Sequence, residues 1–127
     1  MITIENQEWK IKLAQQNIAE AGLIGVVTPF LGDAQNIIKE INEPQFDFLF
    51  MDIWPGDYLA CIKELRPKMK EGSFIVCDNL LTHRSRDGSI TARGTEGDDY
   101  LQFATENFSA SSTILNIGSG VHIGLLI

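Results

Sequence analysis

One short run constrains the fold of this chain more than any other. Phe46-Asp47-Phe48-Leu49-Phe50-Met51 is apolar at every position but Asp47 and stops at Asp52. A mostly apolar run of this length, without alternation, reads as a strand buried on both faces, the kind found inside a parallel sheet. Parallel neighbours need helical crossovers, and the flanking sequence supplies them.

Upstream, Ile2 to Glu5 reads as a short alternating strand. A helix follows from about Gln7 to Ala21, with Ile11, Ala14, Ile18 and Ala21 on one face and Gly22 as its stop. Val26 to Leu31 reads as a strand whose Pro29 points to an edge, and Asp33 can cap a helix running to about Ile41. Downstream, a helix from Asp57 to Lys70 carries Tyr58, Ile62, Leu65 and Met69 inward and ends at Gly72. Ser73 to Cys77 forms the next buried strand. The polar, glycine-containing stretch from Thr82 to Gly97 reads as a loop, and Asp98 to Asn107 as a helix. Thr113 to Ile117 and His122 to Ile127 read as two strands joined by the turn Gly118-Ser119-Gly120.

Strand and helix alternate and then a hairpin closes the chain, which predicts a doubly wound α/β sheet with one antiparallel edge. At 127 residues the whole chain, 1–127, is expected to form one domain. A net charge of −7 repels phosphate backbones and anionic lipid, so neither nucleic acid nor a membrane surface is an expected partner. The opening MITIENQEWK lacks the charged-then-apolar pattern of a signal peptide, and no apolar stretch approaches a membrane span. Cys61 and Cys77 sit among apolar neighbours as buried, reduced thiols. The expected location is cytoplasmic.

Ligands of such sheets bind beyond the carboxyl ends of the strands. Glu5, Asp52, Asp78 and Asn79 all fall there. Two carboxylates and an amide oxygen are hard ligands, suited to magnesium, calcium or manganese; an Asp at a strand end also commonly caps the next turn. Glu5 is placed either to accept ribose hydroxyls or simply to be solvated. Trp54 could cover a flat ring or fill the core. His83 and His122 have no partner at useful spacing and read as structural. No Ser/His/Asp or Cys/His nucleophile set is legible.

Five segments together resemble a known family. Thr3 to Gly22, TIENQEWKIKLAQQNIAEAG, is similar to the strand, acidic residue and helix that follow the first glycine loop of catechol and caffeoyl-coenzyme A type O-methyltransferases. The likeness continues through Gly32-Asp33-Ala34-Gln35, FDFLFMDIWPGDY, GSFIVCDN and the closing NIGSGVHIGLLI. The resemblance implies a Rossmann-like class I methyltransferase sheet that uses S-adenosylmethionine and a divalent metal, magnesium or manganese. It implies methyl transfer to a hydroxyl of a small, catechol-like acceptor. Glu5 would hold the cofactor's ribose, Ala34 and Gln35 would line the adenine edge, and Asp52 and Trp54 would complete the cofactor site with Trp54 on the ring. Asp52, Asp78 and Asn79 would be the metal and catalytic set, the ion binding both oxygens of a vicinal diol and lowering the pKa of the attacking one.

Two departures qualify this reading. The family's lysine three residues after the first metal Asp, thought to act as general base, corresponds to Pro55, which cannot accept a proton. The chain also begins at the family's second strand, so the first strand and its glycine loop, which hold the methionine end of the cofactor, are expected to be missing. The isolated chain is therefore expected to bind S-adenosylmethionine weakly or not at all. The two strand edges left open are expected to be covered in a homodimer.

Two rivals remain open. A non-catalytic methyltransferase-like binding module is favoured by both departures. A phosphoacceptor receiver domain shares the acidity and the strand-end Asp of FMDIWPG, with Thr82 and GDDYL in suggestive places. It needs a lysine where Gln102-Phe103-Ala104 stands and an acidic pair where Glu5-Asn6 stands, and it leaves the terminal hairpin unexplained.

Overall fold

The structure is a computed structural model and describes residues 1–42, 45–84, 90–92, 95–108 and 112–127, with backbone only for 82–84, 90–92 and 95–97. The chain falls into two compact units, Met1–Asn42 and Glu43–Ile127.

In the first unit, β1 (Ile2–Glu5) and β2 (Thr28–Leu31) run parallel, in register from Ile2 opposite Thr28 to Glu5 opposite Leu31. The crossover between them is α1 (Glu8–Glu20), which buries Ile11 and half-buries Ala14 and Ile18. Ala21, expected on that face, is exposed. Gly22 stops the helix as its position predicts. Its φ of +69° places it in the left-handed region, so its N–H reaches Ala19 O at 3.0 Å while Leu23 N reaches Ile18 O at 2.9 Å. That pair of bonds satisfies carbonyls the helix would otherwise leave unpaired. Pro29 costs no ladder bond on the outer side of β2, because among the described residues β1 is the one ladder neighbour of β2. Asp33 caps α2 (Ala34–Glu40) by accepting from Asn36 N at 3.2 Å.

In the second unit, β3 (Phe46–Met51), β4 (Met69–Cys77), β8 (Val121–Leu125) and β7 (Thr113–Leu115) form one sheet in that order. The β3 and β4 strands are parallel; β8 lies antiparallel to β4 and β7 antiparallel to β8. The terminal hairpin is therefore the antiparallel edge that the sequence suggests.

Between the parallel strands lies α3 (Tyr58–Leu65), entered by a 3₁₀ turn at Pro55–Asp57 and left by another at Arg66–Lys68. The helix is shorter than expected because Pro67 has no N–H to continue it. Tyr58, Ile62, Leu65 and Met69 are all buried, although Met69 already belongs to β4.

Gly72 has a different task from the helix stop expected of it. Phe46 pairs with Met69, but Phe48 pairs with Phe74, so β4 carries extra residues against β3. Gly72, at φ +81°, lies in that irregularity. Ser73 Oγ closes it, its single proton shared between Phe46 O at 2.9 Å and Lys70 O at 2.6 Å.

The β3 strand departs from the expectation of burial on both faces. Met51, Ile75 and Cys77 are buried, but Phe48 and Phe50 are each 57% exposed and Phe74 is 54% exposed. The reason is position: among the described residues β4 is its one ladder neighbour, and these rings remain open to solvent at that edge.

Within the stretch Thr82–Gly97, read as a loop, the described residues form regular elements. A short antiparallel pair, β5 (Thr82–Arg84) with β6 (Ile90–Ala92), precedes α4 (Thr95–Asn107), which starts three residues before Asp98. Strands of three residues are too short to show a period in sequence. Among the described residues no helix is long and apolar enough to cross a membrane.

Candidate functional site

The parallel pairing of β3 and β4 decides where the acidic residues go. Met51 lies opposite Cys77, so the next residues, Asp52 and Asp78, leave adjacent strands side by side. Asp78 N donates to Met51 O at 3.1 Å, carrying the ladder to the edge of the site.

Asn79 then turns the chain back. Its φ is +60°, a left-handed conformation that asparagine tolerates better than most residues. Its backbone N–H donates to Asp78 Oδ1 at 2.7 Å, and its side-chain Nδ2 donates to Asp52 Oδ1 at 2.9 Å. The three residues singled out as metal ligands are thus brought together. Among the described residues no three His, Cys, Asp or Glu side chains form a cluster that could hold a metal. An ion here would need the amide oxygen of Asn79 as well as the two carboxylates. Such an all-oxygen set suits a hard divalent cation rather than zinc or copper.

What holds this turn was not legible in sequence. Tyr58, fully buried at the start of α3, donates its hydroxyl to Asp78 O at 2.7 Å. Burial raises its pKa well above the usual tyrosine value, reinforced by nearby Cys77 and Asp52 and opposed by a hydrogen bond with Asn79. It therefore stays a neutral donor. Burial likewise pushes the Cys77 thiol up to about 12, which leaves it unreactive, as a structural cysteine should be.

On the far side, Leu80 N donates to Gly120 O at 3.0 Å and Leu81 N to Ser119 O at 2.8 Å. The glycine turn between β7 and β8 therefore anchors the residues just after Asn79. Gly120 is required there twice over: its φ is +89°, and a Cβ would lie 2.4 Å from Leu81 Cγ.

His122 does have partners. It is 1% exposed, with Tyr100 Oη 2.8 Å from Nδ1 and Ser112 Oγ 2.5 Å from Nε2. Burial lowers its pKa to about 4, consistent with a structural, neutral imidazole. His83 lies on β5, where only the backbone is described.

Trp54 is 50% exposed, so it is not core filling. Pro55 is buried and opens the 3₁₀ turn that leads into α3. In the first unit, Glu5 ends β1; its Oε1 accepts from Gln7 N at 2.8 Å and its Oε2 lies 3.6 Å from Lys10 Nζ. A carboxylate has about four lone-pair sites, so these contacts leave capacity for a ligand hydroxyl. Gly32 N donates to Glu5 O at 3.0 Å, and Ala34 and Gln35 open α2 just beyond, next to the Asp33 cap.

Comparison with known proteins bears on the family and the fold. Residues 1–80 match the family model described as a methyltransferase domain. Catechol O-methyltransferase from Sus scrofa is 27% identical over 116 residues, covering 82% of this chain but 62% of the relative. The chain thus spans less than two-thirds of that protein's length. An O-methyltransferase from Bacillus cereus, solved in complex with SAH, superposes with a TM-score of 0.78 at 22% identity, over 99% of this chain and 62% of that one. The O-methyltransferase TomG from Streptomyces achromogenes, solved with SAM, gives 0.78 at 19% identity, over 98% and 60%. These structures superpose over nearly the whole chain and share its fold; together with the methyltransferase-domain match they set the receiver reading aside. The match across residues 1–80 shows that the chain belongs to the methyltransferase-domain family.

Proposed function

We propose that this chain performs, or contributes most of the site for, S-adenosylmethionine-dependent methyl transfer to a hydroxyl of a small, catechol-like acceptor. The observation that carries the proposal is the convergence of Asp52, Asp78 and Asn79 at the ends of two adjacent parallel strands, with Asn79 Nδ2 2.9 Å from Asp52 Oδ1. These three would hold magnesium or manganese. A bound divalent ion would supply the charge that lowers the pKa of the acceptor hydroxyl.

The remaining work falls to positioning and desolvation, which supply much of the rate of an in-line transfer. Glu5 would accept the ribose hydroxyls, Ala34 and Gln35 would border the adenine, and the exposed Trp54 indole would lie against that ring. We read the whole chain as one methyltransferase-like domain, cytoplasmic, acting as a homodimer on a small molecule rather than on nucleic acid or membrane.

The test is calorimetric titration with magnesium or manganese, alongside transfer of a labelled methyl group from S-adenosylmethionine to catechol with magnesium, at cofactor concentrations high enough to offset the weak cofactor binding expected of this chain. Asp78→Ala should abolish both ion binding and transfer. Equal ion affinity in wild type and Asp78→Ala would overturn the metal assignment. A second reading, a non-catalytic binding module, is favoured by the buried Pro55 at the position of the family lysine. It predicts ligand binding without any transfer.

A further inference from the structure

We infer that Tyr58 is a positioning residue: its hydroxyl fixes the peptide between Asp78 and Asn79, and so presets the arrangement of the Asp52, Asp78 and Asn79 side chains. The inference rests on reading those three as an ion site.

The argument starts from one peptide unit. The Asp78–Asn79 peptide has a carbonyl and an N–H, and both are tied. The carbonyl accepts from Tyr58 Oη at 2.7 Å, and the N–H donates to Asp78 Oδ1 at 2.7 Å. Rotation of that peptide is what would carry Asn79 from its φ of +60° to an ordinary negative value. A left-handed residue other than glycine is disfavoured, by an amount of the same order as one hydrogen bond. The Tyr58 bond therefore acts directly against the relaxation that would swing the Asn79 amide away from Asp52.

Tyr58 is itself held. Its ring lies edge-on to Tyr100 with centroids 5.8 Å apart, and Tyr100 lies edge-on to His122 at 5.5 Å while its hydroxyl is 2.8 Å from Nδ1 of that ring. Tyr58, Tyr100 and His122 are each 1% exposed or less. The hydroxyl at the end of this stack has little room to leave Asp78. A plain core tyrosine would need only its ring, so removing the oxygen separates the two roles.

Tyr58→Phe keeps the ring and should stay folded, as circular dichroism and thermal unfolding would verify. Titrated with manganese alone, it should bind about tenfold more weakly than wild type, the equivalent of one hydrogen bond. By NMR on the metal-free protein, wild type should show the strong intraresidue amide–Hα contact that marks a positive φ at Asn79, and Tyr58→Phe should lose it. Retention of that contact in a folded Tyr58→Phe overturns the inference. If the contact is lost but wild type binds no manganese, the positioning role stands and the ion-site reading fails instead.

Discussion

At His122 both ring nitrogens face hydroxyls in a buried site, and the consequence is a pH dependence of stability. Burial lowers the folded-state pKa from 6.5 to about 4, so the unfolded chain binds the proton more readily between those values. Stability from this residue is fully present above pH 6.5 and is lost as pH falls towards 4. The shift corresponds to up to about 3 kcal/mol. Urea unfolding at pH 7 and pH 4.5 should therefore show a larger loss for wild type than for His122→Gln; equal losses would mean that the imidazole is not the group responsible. The imidazole's structural role was legible because no partner stood near it in sequence. Its actual partners were not, because Ser112 and Tyr100 lie 10 and 22 positions away and only the fold brings them to it. The same holds for Tyr58 and Asp78, 20 positions apart. By contrast, the placement of Asp52, Asp78 and Asn79 at the ends of neighbouring strands could be read in sequence, because strand ends are local features.

Among the elements, signals confined to one turn of chain are legible in sequence, whereas those that depend on a neighbouring strand are legible only in part. Gly22 and Asp33 stop and start helices through bonds to residues within five positions, so their chemistry is written where they stand. Gly72 was assigned to a helix stop by the same local logic, yet its positive φ serves a register shift that exists only because β4 lies against β3. The apolar run of β3 was rightly a strand, but burial is decided by what covers it, and Phe48 and Phe50 stay exposed. Ser73 offers a test of the register argument. Its hydroxyl, 2% exposed, bridges to Phe46 O and Lys70 O across the irregularity. Ser73→Ala removes the donor and leaves the Phe46 carbonyl without it, which should cost about 1–3 kcal/mol in denaturant unfolding. A change within about 0.5 kcal/mol would mean that the irregularity is held by the backbone alone.

At the scale of the whole molecule, the open strand edges call for an explanation. The β1 strand pairs with β2, and β3 pairs with β4; among the described residues neither has a second ladder partner. Beside the open edge of β3, Phe48 and Phe50 point outward with Phe74 in register, each more than half exposed. Unpaired backbone next to exposed aromatic rings is an association site that soluble proteins cover, charge or shorten. Asp47 and Lys70 supply one charge pair here, at 3.9 Å and largely exposed, which is weak protection for a patch of three phenylalanines. A second copy of the chain can cover both features at once, since a two-fold axis would bring the same edge and the same rings together from each side. Sedimentation velocity should therefore show a dimer whose fraction rises with concentration. Phe50→Lys should move that equilibrium towards monomer, because a charge buried in the contact would lose its water without gaining a partner. A wild-type chain that stays monomeric at high micromolar concentration, or a Phe50→Lys variant that dimerises as well as wild type, would rule out this face as the contact.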